Sequence, residues 1–219
     1  MNNYFDVLRK CPLFNHISDE NLPKALSCLG AKQISCNKGE TIFAEGDTAQ
    51  YIGIVLRGSV QLVRVDYYGN RSILTSIEPP QLFGEAFACA ELASLPIDAV
   101  AAEDTEVILI DAAKISAQCT NICTFHRQLI LNLLNIVSKK NIVLHQKIEI
   151  TSRRSTREKL MAYLLMQAKK AHSNTFSIPY DRQELADYLG VERSGLSAEI
   201  SKLRNEKVIE CRKSTFTLL

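Results

Sequence analysis

From about residue 31 to 111 the chain alternates short apolar runs with Gly, Asp, Asn and Pro. The runs are Thr41-Ile42-Phe43, Tyr51 to Leu56, Ser59 to Val65, Ser72 to Ile77, Ala99 to Ala102 and Val107 to Ile110. Between them lie turn formers such as Glu45-Gly46-Asp47, Arg57-Gly58, Tyr68-Gly69-Asn70 and Pro79-Pro80. Many short strands at nearly even spacing predict a β-roll of the jelly-roll type. Residues 4–30 ahead of it read as helical, with Pro12 and Pro23 as breaks and Ser18-Asp19-Glu20 as the N-cap region of the second piece.

The period then changes. From 113 to 150 there is neither Pro nor Gly, and Ile122, Leu129, Ile136, Val143 and Ile150 fall seven apart. That spacing predicts one long helix with a heptad seam, widened by the adjoining row Ile130, Val137 and Leu144. A helix apolar on two neighbouring stripes either serves wholly as a core helix of its own domain or packs on that domain and on a second copy; the second reading, a homodimer, is the expected one and is supported by the family resemblance given below. Ser152-Arg153-Arg154-Ser155 reads as a polar hinge, and a helix from Thr156 to about Lys170 carries Leu160, Tyr163, Leu164 and Ala168 on one face. The expected division is a sensor domain with its pairing helix over 1–150 and a second domain over 151–219.

Residues 181–203, DRQELADYLGVERSGLSAEISKL, carry the sharpest pattern in the chain. A first helix from Asp181 to Leu189 buries Leu185, Ala186 and Leu189, and Gly190 stands where a tight turn needs positive φ. A second helix from about Arg193 to Asn205 buries Leu196, Ile200 and Leu203, leaving Arg193, Ser194, Ser197 and Lys202 on the opposite side. Two short helices joined this way form a helix-turn-helix, whose second helix enters the DNA major groove with its N-terminal residues nearest the bases. Arg193 then suits guanine O6 and N7, Ser194 and Ser197 base edges or phosphates, and Glu192 cytosine N4. Arg182 and Gln183 open the first helix, where a phosphate is met, and Lys202 with Lys207 adds sequence-independent attraction. Val208 to Leu218 forms two β-rich runs around a basic tip, the pattern of a wing. The fold class is therefore α+β, a β-roll with a long helix followed by a winged helix-turn-helix.

At these residues the chain resembles the Crp/Fnr family of bacterial transcription regulators over nearly its whole length. Asn37 to Asp47, NKGETIFAEGD, is similar to that family's G-E-x-I-F-x-E-G-D strand-turn, and Tyr51 to Val60 to its strand ending in G-x-V. Phe83-Gly84-Glu85 matches its F-G-E, Thr156 to Leu160 the helix opening its DNA-binding domain, and DRQELADYLGV its R-Q-E-L-A-x-x-L-G-V. The resemblance implies a cyclic-nucleotide-binding-like roll, a dimer helix, a palindromic double-stranded DNA operator and RNA polymerase as a further partner. It also implies an effector pocket around Phe83, Gly84, Glu85 and Asp98. Yet the cyclic-nucleotide members follow F-G-E with an Arg for the cyclic phosphate, where this chain has Leu95-Pro96-Ile97-Asp98-Ala99-Val100. No Lys or Arg occurs from Ser72 through Ala113, and a buried phosphate without a cation is costly, so cAMP is not the expected effector. In the recognition helix the family's acidic residue and second Arg are replaced by Ser194 and Ala198, so its consensus operator does not carry over.

Charge agrees with this division. Residues 1–146 hold 12 Lys+Arg against 15 Asp+Glu, or −3, and residues 147–219 hold 14 against 9, or +5. A basic rear half is compatible with nucleic acid. The N-terminal residues are polar, and no run approaches a membrane span, so a cytoplasmic protein without membrane contact is expected. The seven cysteines are expected to be reduced thiols, and Cys119 with Cys123 at i, i+4 is the pair to watch for a redox or metal role, although buried inert thiols are the simpler reading. No cofactor is expected: Cys11, Cys28 and Cys36 are too widely spaced for the iron–sulfur centre of the oxygen-sensing branch, while His126 or His145 leaves haem open. A small-molecule or redox effector is left unspecified. Two other functions compete. A jelly-roll metalloenzyme needs histidines inside the roll, but His16, His126, His145 and His172 all lie outside it. A ligand-binding regulatory module acting on a protein partner leaves the wing and Arg193 without a purpose.

Overall fold

A computed structural model describes residues 4–65, 67–68, 71–116 and 125–219. Its contacts divide the chain into two compact units, residues 1–139 and 140–219. None of the described helices is long and apolar enough to cross a membrane.

In the first unit the helices α1 (Phe5–Lys10) and α2 (Leu22–Cys28) precede two four-stranded antiparallel sheets. One sheet has the order β1 (Lys32–Cys36), β8 (Thr105–Asp111), β3 (Tyr51–Arg57), β6 (Leu82–Phe83). The other runs β2 (Thr41–Phe43), β7 (Asp98–Ala101), β4 (Val60–Val65), β5 (Arg71–Ile77). The helix α2 begins later than Ser18-Asp19-Glu20 implied: its N-cap is Asn21, which makes no side-chain capping bond, while the Ser18 carbonyl accepts from Asn21 N and Leu22 N.

Strand β3 is buried on both faces, which explains its unbroken apolar sequence. Ile52, Ile54 and Leu56 pack with Leu8, Leu13 and Ile110, whereas Val55 packs with Phe43, Val60 and Phe83. Gly53 is required by this second layer. A Cβ there would lie 2.1 Å from the Phe83 ring.

The helix expected over 113–150 is not one piece. The helix α4 is described over Ala113–Ser116, Phe125 stands in a turn, and α5 runs His126–Thr151. Of the expected heptad row, Leu129, Ile136 and Ile150 are buried within their own units, Val143 is exposed, and Ile122 lies outside the described residues. Asn132 fixes the first half of α5. Its Nδ2 donates to the carbonyls of Leu13 (2.8 Å) and Asn15 (2.7 Å), and its Oδ1 accepts from Gln128 (2.9 Å).

The second unit continues through a turn at 152–155 into α6 (Thr156–Ala171), then β9 (Thr175–Ser177), α7 (Arg182–Leu189), α8 (Arg193–Asn205), β10 (Ile209–Arg212) and β11 (Thr215–Leu218). Sharp starts are imposed by two reciprocal capping boxes, Ser155 with Glu158 and Asp181 with Glu184. Leu160, Leu164, Leu185, Leu189, Leu196, Leu203 and Phe216 form one core. Arg157 on α6 clamps α8 from outside, with Nη2 2.6 Å from Glu206 and Nη1 3.4 Å from Glu199.

Two outcomes follow. Asn132→Leu strands the Leu13 and Asn15 carbonyls and should cost about 1–3 kcal/mol in denaturant unfolding of the first unit; an unchanged midpoint would refute the docking role. The Arg157 hydrogen bond holds the Glu206 carboxyl below its ordinary range, and the Ser155 backbone amide does so for Glu158. A depressed carboxylate stabilises the fold above its unfolded pKa and loses that stabilisation as pH falls through the folded one. Thermal midpoints should therefore drop below about pH 4. The double variant Glu158→Gln, Glu206→Gln should flatten that acid-side slope, and a slope equal to the parent's would contradict it.

Candidate nucleic-acid interface

The α7–α8 pair is built as a helix-turn-helix. Helix α7 ends on Gly190, at φ +62°, and α8 starts at Arg193. Leu196, Ile200 and Leu203 are buried to 5 % exposure or less, which fixes the rotation of α8 in its core. Arg193, Ser194, Ser197 and Lys202 are consequently all exposed, as the helical spacing required. Between them the surface is shallow: a Cβ on Gly195 would meet nothing within 4 Å, and Ala198 is exposed as well. A face of Ser, Gly, Ser and Ala can approach a flat, hydrogen-bonding partner closely, and Arg193 at its head supplies the reach. Glu192 is the N-cap of α8 and makes no side-chain capping bond. Its carboxylate is therefore not committed to the helix start.

Arg182 and Gln183 are placed differently from one another. Gln183 is exposed, its amide nitrogen donating to Asp187 Oδ1 at 2.9 Å. The Arg182 guanidinium is turned inward: Nη2 donates to Cys211 Sγ (2.7 Å) and to the Lys213 carbonyl (3.2 Å), and the group lies 5.2 Å from the centre of the Phe216 ring. It ties α7 to the wing. The Asp181 carboxylate accepts from Glu184 N at 2.8 Å, so the start of α7 already holds an anion of its own.

The wing pairs β10 with β11 from Ile209↔Leu218 to Arg212↔Thr215, and β9 extends the sheet. Its tip is Lys213-Ser214, with Lys213 at φ +54° and exposed. Arg204 is a further exposed cation on α8 that the sequence reading did not single out; it lies two residues beyond Lys202, inside the same run of basic residues.

The residues expected to line an effector pocket come together around Phe43, not around a basic hollow. The Phe83 ring lies 5.3 Å from that of Phe43, and Gly84 (φ +79°) caps the short helix α3 (Glu85–Cys89). Phe83 and Glu85 are 1 % and 4 % exposed. Asp98 follows on β7 next to Ala99, the strand partner of Phe43, and its Oδ1 accepts from Glu45 N at 2.7 Å. Gly46 N to the Leu95 carbonyl (2.9 Å) and Leu95 N to the Asp47 carbonyl (2.8 Å) lace the same two loops together.

His126 faces a thiol, with Nε2 3.2 Å from Cys28 Sγ, and His145 is exposed. Burial pushes the Cys11 thiol up to about 12. Cys119 and Cys123 lie outside the described residues. Among the described residues no three His, Cys, Asp or Glu side chains converge as a metal site.

Comparison with known proteins matches both units. A cyclic nucleotide-binding domain model covers residues 33–121, and a Crp-like helix-turn-helix domain model covers residues 158–219. The cyclic AMP receptor protein of Thermus thermophilus is 25 % identical over 208 residues, covering 95 % of this chain and 92 % of its own. A probable transcriptional regulator of Lacticaseibacillus casei, flp, is 26 % identical over 214 residues, covering 91 % and 87 %. The crystal structure of DNR from Pseudomonas aeruginosa shares the fold with a TM-score of 0.52 at 20 % identity, covering 100 % of this chain and 95 % of that one. These relatives are regulators, not enzymes. With a nucleotide-binding-like roll, a long helix and a winged helix-turn-helix in that order, the chain belongs to the Crp/Fnr family of transcription regulators.

Proposed function

We propose that the protein is a sequence-specific regulator that binds a palindromic double-stranded DNA operator as a homodimer, reading each half-site with α8. The observation that carries this is the exposed face of α8, where Arg193, Ser194, Ser197 and Lys202 surround an open Gly195 opposite a buried Leu196–Ile200–Leu203 stripe. Arg193 takes guanine O6 and N7, Ser194 and Ser197 take base edges or phosphate, and Glu192 accepts from a cytosine amino group. Gln183, Lys202 and the Lys213 tip hold phosphates, and Arg182 orients the wing that carries that tip. Residues 151–219 act as the reading head and residues 1–150 as the sensor with its pairing helix. Paired heads stand about 34 Å apart, one turn of B-DNA.

The sensor's effector is not cAMP in this reading. Segment 72–113 has no Lys or Arg, and the Asp98 carboxylate would repel a phosphate. A ligand acting around Phe83, Gly84, Glu85 and Asp98 is neutral or cationic, and it works by loosening the Asp98–Glu45 tie. The change reaches the heads through the turn at 152–155 as a population shift between two poses. RNA polymerase is the partner through which bound regulator affects transcription.

Operator footprinting followed by competition binding tests the assignment. Arg193→Ala should cost about 1–3 kcal/mol and relax discrimination at one base pair per half-site. Full affinity with full discrimination in that variant would remove Arg193 from the reading face. Lys202→Ala should weaken all sequences alike and reduce the salt slope by about 1. Arg182→Ala should lower thermal stability as well as affinity, because it releases the wing; an unaltered melting curve would return Arg182 to a purely phosphate-binding role.

A further inference from the structure

Along α5, Ile130, Leu134, Leu144 and Ile148 are 45, 61, 59 and 61 % exposed. With the half-buried Val137 and the exposed Asn141 they fall at alternating steps of four and three residues, 130, 134, 137, 141, 144 and 148. That is the a/d alternation of a two-helix coil, with Leu134, Asn141 and Ile148 at a and Ile130, Val137 and Leu144 at d. Ile142 and Val143 are exposed off this stripe, so it is the spacing, and not exposure alone, that defines the seam. The row buried within the protein's own units, Leu129, Ile136 and Ile150, lies one residue away around the helix. Five of the six seam positions are apolar. The sixth is an amide.

We propose that Asn141 sets the direction and register of the α5 pair, a refinement that rests on the homodimer reading above. In a parallel, in-register pair, a faces a, so Asn141 meets the partner's Asn141. Each amide can then donate Nδ2–H to the other's Oδ1. A slip of one heptad sets Asn141 against the partner's Leu134 or the partner's Ile148. An antiparallel pair sets a against d and again leaves the amide among apolar side chains. Both alternatives bury an amide without a hydrogen bond, which is the costly arrangement. Charge does not supply a competing rule. The flanking positions are Leu131, Ser138 and His145 on one side and Leu133, Lys140 and Lys147 on the other, with no acidic residue for a cross-helix ion pair. Asn141 is thus the seam's single polar pairing element, and such a residue lowers coil stability while fixing its geometry. The consequence is functional. A parallel, in-register coil has its two-fold axis along the pair, which sends both reading heads out at the same end, as a palindrome requires.

The full chain tests this. Chains carrying Val137→Cys are mixed with chains carrying Leu144→Cys and oxidised, and the bridges are mapped by mass spectrometry, alongside sedimentation to give the assembly size. With Asn141 present, bridges should join 137 to the partner's 137 and 144 to the partner's 144. Adding Asn141→Val to both chains should keep or tighten association, but a new bridge between 137 and the partner's 144, or assemblies larger than two, should appear. An Asn141→Val background that gives only the in-register bridges and only dimers overturns the role of Asn141. So does a parent chain in which the 137-to-144 bridge already predominates. A parent chain that sediments as a monomer with and without operator duplex instead overturns the homodimer reading itself, a different and separately visible failure.

Discussion

An amphipathic helix with apolar residues on more than one face cannot bury them all against a single neighbour, and α5 is such a helix. Its Leu129–Ile136–Ile150 row is spent inside the protein, which leaves Ile130, Leu134, Leu144 and Ile148 in water. Leaving four large aliphatic side chains about half exposed in one line is unfavourable by about 1 kcal/mol each relative to full burial. Association of two copies, the homodimer proposed above, is the direct remedy. Three parts of that proposal depend on it: a symmetric pair of α8 helices, an operator with two half-sites, and a route by which a change in the roll acts on both heads at once.

The reading head is held by interactions of a different kind. Its core is apolar, but the pose of its parts is set by directed polar contacts: the two capping boxes, the Arg157 clamp onto Glu199 and Glu206, and the Arg182 tie to Cys211 and Lys213. Such bonds have narrow angular tolerance. They keep α7, α8 and the wing in one arrangement, so the exposed side chains of α8 present a fixed pattern rather than an average.

Much of this was legible in the sequence because it depends on local rules. The limits of α8 follow from Gly190 and the Leu196–Ile200–Leu203 spacing, and the wing from two β-rich runs around Lys213. The strands β1 and β6 escaped, since KQISC has little apolar alternation and Leu82–Phe83 is only two residues; pairing with β8 and β3 makes them strands. The proposed seam was legible only on its Ile130, Val137 and Leu144 side, and Leu134 and Ile148 escaped for a related reason. A heptad repeat states the spacing of apolar residues, not which of two adjoining rows the fold consumes, and the row that looked most regular is largely the one turned inward. The tie of Arg182 to the wing is not legible locally, because its partners Cys211 and Lys213 lie 29 and 31 residues further on.

The sensor departs from the resemblance in a way that its chemistry explains. A pocket for a cyclic phosphate must offer donors or a cation. Here the corresponding segment turns its one charged group, Asp98, onto the Glu45 amide, and laces Leu95 to Gly46 and Asp47. Those bonds close the loops on each other, while Phe83 fills the space over Gly53. An effector of the kind proposed above, acting at Asp98, would compete there with the Glu45 backbone amide, and a neutral donor or a cation competes for a carboxylate better than a phosphate does.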